Sequence, residues 1–209
     1  MPADRTSSAH ASLLNIVVTH MTSPSTDTVE ALARRIVDQL AEDKLTLATA
    51  ESCTGGALAC ALSAAPGSGE IFEGGFVCYS KRAKERVLGV SAVVLSEDTA
   101  VSRRVAEAMA RGARERMDCD LAIAITGVTG PEPDEDGNPV GLVHCSVSSR
   151  AGSSDHLEQR LEGVPPDALR EDVLLGALRL LSAALDRRRV AARPETDGPS
   201  RAADRTSAR

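Results

Sequence analysis

The residues best suited to chemistry lie in the segment Thr49–Gly56, which reads Thr-Ala-Glu-Ser-Cys-Thr-Gly-Gly. A short apolar run, 45–50, precedes Ser52, and a helix-compatible stretch then starts through the two glycines. A serine on such a strand-to-helix turn can stand clear of its surroundings, and the N–H groups that open the helix can point at one spot beside it. This arrangement suits a nucleophile with an oxyanion site. The alternative is a plain helix N-cap, for which serine and threonine are favoured.

A serine hydroxyl is a poor nucleophile unless a neighbouring group accepts its proton. Two of the histidines, His10 and His20, lie in the N-terminal arm, and His144 is interpreted as a packed or surface residue in the middle of a strand. A Ser-His-Asp triad therefore lacks an obvious base. Lysine serves as a base when desolvation or a nearby cation lowers its pKa, which makes Lys84 the better candidate. The alternative for Lys84 is a solvated helix lysine.

Two further side chains lie close to these candidates in the sequence. Tyr79 is the only tyrosine and precedes Lys84 by five residues across a predicted strand–helix junction, so both can face one cleft. Its phenol can relay a proton or orient the lysine, unless it is simply a strand-end residue with its hydroxyl in water. Cys53 is an alternative nucleophile, although adjacent residues on a turn point in different directions. The alternative is that Cys53 is simply a small buried side chain without a catalytic role.

A third motif, Thr126-Gly127-Val128-Thr129-Gly130-Pro131, ends another apolar run. The loop 127–130 can hold a phosphate with its backbone N–H groups, or it is a tight turn before the proline. The acidic run 134–138 invites a calcium interpretation. An EF-hand loop, however, needs a glycine and a glutamate at places that hold Pro139 and Cys145 here, so we interpret the run as a solvated acidic turn.

The elements that must position these motifs alternate along the chain. Hydrophobic periodicity predicts helices over 29–40, 54–64, 81–88, 99–117 and 167–185, and strands over 45–50, 74–80, 121–126, 140–147 and 156–161. We expect the last two strands to be neighbours, with an antiparallel pairing as one possibility. The pattern predicts an α/β fold, a three-layer α/β/α sandwich with a mixed, mostly parallel sheet. The carboxyl ends of parallel strands meet at the edge where open sheets bind ligands, so the three motifs are predicted to converge there.

Length and charge limit the class of protein. The 209 residues suffice for one sizeable core, which we place at 26–188 between two segments, 1–25 and 189–209, predicted to be disordered. The net charge is −6, and the residues from Arg187 onward carry seven arginines against three acidic residues. The rest of the chain therefore carries −10. Such an acidic body argues against broad nucleic-acid binding.

Cysteine usage and hydropathy indicate the compartment. The five cysteines form no CxxC pair, so they are interpreted as reduced, intracellular residues and not as a disulfide framework or a zinc site. No stretch approaches the roughly 20 apolar residues that cross a bilayer. The run 13–18 lacks the flanks of a signal peptide. The sequence thus predicts a cytoplasmic protein with no membrane partner.

The motifs together resemble a known family, the CinA carboxy-terminal domain. The resemblance is carried by Thr49–Gly56, by 74–80 (Gly-Gly-Phe-Val-Cys-Tyr-Ser) with Lys84, and by 127–131 with 139–143 (Pro-Val-Gly-Leu-Val). It spans about residues 28–186 and keeps the order of every motif. The first motif is highly specific and the glycine–proline loop moderately so.

The resemblance implies a nicotinamide mononucleotide amidohydrolase, which converts the carboxamide to nicotinate mononucleotide and ammonia in pyridine nucleotide salvage. It implies no metal and no cofactor, a small nucleotide substrate and a homodimer. Ser52 would be the nucleophile, Lys84 the base and Tyr79 its partner. The oxyanion and the substrate would be held by two sets of residues: Cys53, Thr54, Gly55 and Gly56, and Thr126, Gly127, Thr129 and Gly130.

The chain departs from the family pattern at several places. Thr129 stands where alanine is common, Asn138 replaces a basic residue, and 163–166 (Gly-Val-Pro-Pro) replaces a Gly-Asp-Arg stretch. The phosphate-binding set is thus incomplete, with Arg160 and Arg170 as candidate substitutes. Two alternatives stay open, namely a non-catalytic nucleotide-binding protein of the same fold and an amidase for another carboxamide.

Overall fold

The computed structural model describes residues 15–19 and 28–192. Within these ranges six strands form a single sheet: β1 (Asn15–Thr19), β2 (Leu47–Glu51), β3 (Phe72–Val77), β4 (Leu121–Gly127), β5 (Leu142–Ser149) and β6 (Ser154–Arg160). Six helices cover it: α1 (Val29–Asp43), α2 (Ala57–Ala64), α3 (Lys81–Leu88), α4 (Ala92–Glu97), α5 (Arg103–Met117) and α6 (Pro166–Ala192). A short 3-10 helix spans Ser68–Glu70.

The sheet is mixed and mostly parallel, as predicted. Its strand order is β1-β6-β5-β4-β2-β3, and only β5 runs against its neighbours. The predicted neighbourhood of β5 and β6 is confirmed, and their pairing is antiparallel. Strand β2 lies between β3 and β4 and is parallel to both, so the carboxyl ends of these three strands share one edge of the sheet.

The side chains of the central strands are divided by size between the two faces of the sheet. Leu47, Leu121, Ile123 and Ile125 pack with α1, α2 and α6 in one buried cluster, whereas the intervening alanines pack against α3 and α5 in another: Ala48, Ala50, Ala122 and Ala124. This alternation follows from the two-residue repeat of a strand. Both faces are therefore covered, which makes the three-layer sandwich and explains the continuous apolar run of β4.

The structure differs from the predicted boundaries at both ends. Residues 15–19 form strand β1, parallel to β6, so the prediction of disorder for 1–25 is wrong for these five residues. Helix α6 continues to Ala192, past the predicted boundary at 188, because Arg189 near its end binds Asp43 of α1 at 2.7 Å. The remaining residues predicted to be disordered lie outside the described ranges.

One helix was missed and several boundaries moved. Helix α4 was not predicted because only six residues, led by the N-cap Ser91, form it. Helix α2 begins three residues later than expected, because the glycines before it adopt positive φ angles. None of the helices in the described ranges combines the length and the apolar character needed to cross a bilayer.

Candidate active site

Ser52 follows the last residue of β2, at the shared edge of the sheet. Its N–H donates to the Ile125 carbonyl at 3.1 Å, which continues the pairing of β2 with β4 by one residue. The chain then turns through Gly55 (φ 63°) and Gly56 (φ 99°) into α2. Such angles are costly for residues with a Cβ atom, so the paired glycines allow the sharp strand-to-helix turn that the sequence predicted.

Lys84 is buried beside this serine. It lies in the second turn of α3, which Ser80 caps by accepting a hydrogen bond from the Ala83 N–H at 3.1 Å. The Lys84 side chain is only 1 % exposed, and its Nζ lies 2.8 Å from Ser52 Oγ. The nitrogen also donates to the carbonyl oxygens of Cys78 and Tyr79, at 3.1 and 3.2 Å. The alternative of a solvated helix lysine is therefore wrong.

The surroundings of Lys84 shift its amine toward the neutral form. Among the described residues no carboxylate pairs with its Nζ, and burial lowers the pKa of Lys84 to about 8. A neutral amine has two N–H donors and one lone pair. The two carbonyls can take both donors, which leaves the lone pair for the proton of Ser52. The geometry thus fits a lysine that accepts a proton from serine.

Tyr79 contributes to this cluster through its main chain. Its carbonyl oxygen accepts from Lys84 and lies 3.5 Å from Ser52 Oγ, while its side chain is 77 % exposed and lines a cavity at the site. The predicted role of the phenol as the partner of Lys84 is therefore wrong in this geometry. The reason is that α3 begins directly after Ser80, and its second turn brings Nζ back under the backbone of 78–79.

Cys53 lines the same cavity but does not suit the role of nucleophile. Burial raises the pKa of its thiol to about 11, so the thiolate is scarce at neutral pH. Its carbonyl oxygen accepts a hydrogen bond from Thr129 Oγ1 at 3.2 Å, which joins the serine turn to the loop after β4. This contact also gives Thr129 a positioning role in place of the alanine common in the family.

Glu51, which the sequence analysis passed over, organises the turn. Its side chain is fully buried and accepts four hydrogen bonds, from Thr54 Oγ1 at 2.7 Å, from the N–H groups of Gly56 and Leu58 at 3.1 and 3.0 Å, and from that of Ala59 at 2.8 Å. One carboxylate thus accepts hydrogen bonds from the free N–H donors at the start of α2. Its negative charge also lies at the positive end of the helix dipole. The capping role of Glu51 could have been identified from one signal, a carboxylate shortly before the predicted helix start at 54.

This contact corrects part of the predicted oxyanion site. The Gly56 N–H is bound to Glu51, the Gly55 N–H donates to the Ser52 carbonyl at 3.1 Å, and Thr54 uses its hydroxyl on Glu51. The prediction is therefore wrong for Gly55 and Gly56. The N–H groups of Cys53 and Thr54 bind no acceptor within the described chain, and their role as oxyanion donors stays a prediction.

We expect the substitution Glu51→Gln to reduce the free energy of unfolding by about 2–4 kcal/mol, because an amide nitrogen replaces one of the two acceptor oxygens and faces an N–H donor. Urea unfolding of the variant and of Glu85→Gln, an exposed glutamate on α3, measures this difference. The Glu85 variant is expected to stay within about 0.5 kcal/mol of the unsubstituted protein. Equal losses in the two variants would contradict the capping role of Glu51.

The loop after β4 forms the opposite wall of the site. Thr126 is buried and its hydroxyl donates to the Ala100 carbonyl at 2.7 Å, so this residue positions the wall and has no free hydroxyl proton. Gly127 packs so closely that an added Cβ would lie 2.6 Å from a Val143 methyl group. Thr126, Gly127, Thr129 and Gly130 all line the cavity, as predicted, whereas Thr54, Gly55 and Gly56 do not.

The cavity has a volume of about 390 Å³ and is bounded on its outer side by the acidic run. Lys81 binds Asp136 at 2.6 Å and approaches Glu135 at 3.7 Å, while Asp134 accepts three hydrogen bonds from Asp136 and Asn138. The run is therefore an anchored wall of the cavity and not simply a solvated turn. Neither Arg160 nor Arg170 lines the cavity, so neither fills the place of the missing arginine.

The histidines stay outside this chemistry. His144 is buried in the middle of β5, as predicted, and its Nδ1 lies 3.0 Å from Nε2 of His156 with the two rings stacked. Burial lowers the pKa of both, that of His156 to about 4. His10 and His20 lie outside the described ranges. Within those ranges no cluster of three His, Cys, Asp or Glu residues is suited to a metal ion.

Comparisons with known proteins agree with this arrangement. A family model described as the CinA C-terminal domain matches residues 29–185. The solved structure of competence/damage inducible protein CihA from Agrobacterium tumefaciens is 39 % identical, covers 79 % of this chain and 99 % of its own, and superposes with a TM-score of 0.72.

Two curated relatives show similar identity over shorter stretches. Protein YdeJ of Escherichia coli is 50 % identical over 118 residues, which are 56 % of this chain and 69 % of YdeJ. A CinA-like protein of Synechococcus sp. is 46 % identical over 131 residues, 63 % of this chain and 31 % of that protein. The chain therefore spans less than a third of the longer CinA-like proteins that it matches.

Proposed function

This chain belongs to the CinA C-terminal domain family, and from that premise and the geometry of its site we propose that it is an amidohydrolase that acts through a serine acyl-enzyme. The single observation that supports this most is the 2.8 Å contact between Ser52 Oγ and the buried Nζ of Lys84. A hydroxyl beside a desolvated amine is the arrangement that activates a serine nucleophile without histidine.

The first half of the proposed reaction forms an ester. Neutral Lys84 accepts the Ser52 proton as Oγ attacks the carbonyl carbon of a carboxamide, which gives a tetrahedral oxyanion and an ammonium on Lys84. The ammonium then donates its proton to the departing nitrogen, and ammonia leaves as the C–N bond breaks. In the free enzyme the carbonyl oxygens of 78 and 79 fix Nζ in the position that both proton transfers need.

The second half hydrolyses the ester with the same groups. A water molecule loses a proton to Lys84 and attacks the acyl carbon, and Ser52 Oγ leaves with the proton that Lys84 returns. The carboxylic acid is released and the enzyme is restored. Because the Gly56 N–H is bound to Glu51, the donors that could stabilise the oxyanion are the N–H groups of Cys53 and Thr54.

The proposed substrate is nicotinamide mononucleotide, which the family resemblance implies. Its carboxamide would reach Ser52, with the nucleotide along the loop 126–130. Incubating the purified protein with this compound and measuring ammonia and nicotinate mononucleotide tests the proposal. Binding of the nucleotide in calorimetry with no ammonia released would instead favour a non-catalytic binding protein.

One observation favours a second candidate, an amidase for a carboxamide without phosphate. The cavity is lined by Glu132, Asp134 and Glu135, and its lysine Lys81 is already bound to Asp136 at 2.6 Å. The other lysine in the lining, Lys84, is bound to Ser52 and to two carbonyl oxygens, so a phosphate dianion would meet these carboxylates with neither lysine placed to offset them. Comparing kcat/KM for the mononucleotide and its dephosphorylated riboside decides between the candidates.

The depressed pKa of Lys84 predicts the pH dependence of the reaction. Because the neutral amine is the active form, kcat/KM is expected to rise about tenfold per pH unit below pH 8 and to level off above it. Initial rates from pH 6 to 10 at constant ionic strength measure the midpoint. A matched profile of Glu85→Gln, which lies on the exposed side of α3, is expected to be unchanged. A midpoint near the ordinary histidine pKa, or a rate that falls with rising pH, would contradict the role of Lys84.

A further inference from the structure

A second cleft lies on the other side of the sheet from α1 and α6, between α5 and the β5–β6 hairpin. It has a volume of about 290 Å³, and we name it the serine–arginine cleft after the side chains that define it: Arg103, Arg111, Arg114, Ser148, Ser149, Ser153 and Ser154. Glu107 and Gly152 complete its lining. The proposed function uses none of these residues, and the cleft is therefore a separate feature of the molecule.

The arginines converge because of helical spacing. Arg103, Glu107, Arg111 and Arg114 are separated by four, four and three residues, so they share one face of α5. The opposite wall follows from strand alternation, since Val143, Cys145 and Val147 face the α1–α6 core and Ser148 therefore faces α5. The contact of Arg114 Nε with Ser148 Oγ at 3.3 Å joins the two walls.

The described lining of the cleft holds more positive than negative side chains. Glu107 binds Arg103 at 2.7 Å, and the exposed Glu115, outside the cleft, approaches Arg114 at 3.3 Å. Arg111 has neither a hydrogen-bond nor an ion-pair partner among the described residues. Among the described residues that line it, three guanidinium groups stand against one carboxylate, so this lining is positive on a protein whose net charge is −6.

Hydroxyl groups supply the other half of the site. Ser149 and Ser153 lie 2.8 Å apart through their Oγ atoms across the hairpin turn, and Ser146 Oγ lies 3.4 Å from that of Ser154. Each hydroxyl is both a donor and an acceptor, so hydroxyls paired with one another can redirect a proton toward an anion. A planar guanidinium beside several hydroxyls matches the tetrahedral oxygens of a phosphate group.

We propose that the serine–arginine cleft binds a small oxyanion of the phosphate class, either inorganic phosphate or the phosphate group of a phosphomonoester. The end of the cleft at Arg111, Arg114 and Ser148 lies away from the catalytic cavity, whereas Arg103 at its other end is two residues from Val101 of that cavity. Ser148 pairs with Ala122, whereas Val143 pairs with Gly127 at the catalytic edge, and five residues of strand span roughly 17 Å. An anion held at Arg111 and Ser148 is therefore not the phosphate of a substrate whose carboxamide contacts Ser52.

Calorimetric titration with inorganic phosphate, and separately with glycerol 3-phosphate, tests the proposal at constant ionic strength, so that screening does not change. We expect a dissociation constant in the millimolar range or lower. We also expect at least about a tenfold weakening in Arg111→Gln, which removes a charged donor fork. Arg86→Gln on α3, an exposed arginine outside the cleft, is the matched control and is expected to bind as the unsubstituted protein does.

The outcomes are distinct from one another. Binding of both compounds indicates that the phosphate group suffices, and binding of the ester alone indicates an organic phosphate. Absence of binding up to about 20 mM, or equal affinity in Arg111→Gln and Arg86→Gln, would overturn the proposal. Because Arg111 is exposed, its variant is expected to fold normally, and an unchanged melting temperature without phosphate checks this.

Discussion

Replacing Ser52 with alanine is expected to lower kcat for amide hydrolysis by at least about 10³-fold while leaving substrate binding nearly unchanged. The physical reason is that Oγ is the only hydroxyl within hydrogen-bond distance of Lys84 Nζ in the described chain, at 2.8 Å. Without it, water must attack the carboxamide directly, with only the rest of the site to assist. Ammonia release under single-turnover conditions measures the loss, and calorimetry on the nucleotide measures binding.

The matched control is Cys53→Ala, which removes the neighbouring candidate nucleophile. Since burial holds the pKa of the Cys53 thiol near 11, this variant is expected to retain activity within a few-fold. Mass spectrometry of the protein after treatment with a sulfonyl fluoride should show one adduct in the unsubstituted chain and none in Ser52→Ala. A Ser52→Ala variant with full activity, or a Cys53→Ala variant without any, would refute the assignment of the nucleophile.

Replacing Lys84 with methionine is expected to abolish hydrolysis and at the same time to stabilise the fold. Activity should fall by at least about 10³-fold, because no other described group near Ser52 can accept its proton. The unfolding free energy at pH 7 should rise by about 1–2 kcal/mol. A pKa lowered from 10.5 to about 8 corresponds to a burial cost of about 3 kcal/mol for the charged amine, part of which is offset by its bonds to two carbonyls.

The pH dependence of stability separates this effect from ordinary repacking. Below pH 8 both the folded and the unfolded chain hold the Lys84 proton, so the cost is fully present. Between pH 8 and 10.5 the unfolded chain binds more protons, and the stability of the unsubstituted protein rises with pH. The advantage of Lys84→Met should therefore shrink over this window in urea unfolding. A constant difference from pH 7 to 10 would show that the lysine is not destabilised by burial.

The pattern of residues was sufficient to predict how the chain is layered. Alternating strands and helices and the apolar run of β4 led to a three-layer sandwich with a mostly parallel sheet, and the chain has that fold. The prediction succeeded because these features are local or periodic. Strand β1 was missed, since a run of five residues that pairs only with the distant β6 carries little local signal.

The sequence likewise predicted only part of the candidate site. The sequence placed Ser52, Lys84 and the loop 126–130 at strand ends on one edge of the sheet, because parallel strands present their carboxyl ends at one edge. It assigned Tyr79 by its side chain, whereas the backbone carbonyl makes the contact. A hydrogen bond to the main chain does not depend on residue type, so no pattern of residues could have revealed it.

What the sequence alone determined is which chemical groups are available and which edge of the sheet carries them. Tertiary structure decided how far these groups are buried and which hydrogen-bond partners they have. It buried Lys84 to 1 % exposure, which is what makes an amine a base near neutral pH. It also directed the Glu51 carboxylate onto the Gly56 N–H and the Ser52 carbonyl onto the Gly55 N–H, which removes both glycines from the oxyanion site. Desolvation and the competition for donors depend on every atom packed around a group, and those atoms come from segments far apart in the chain.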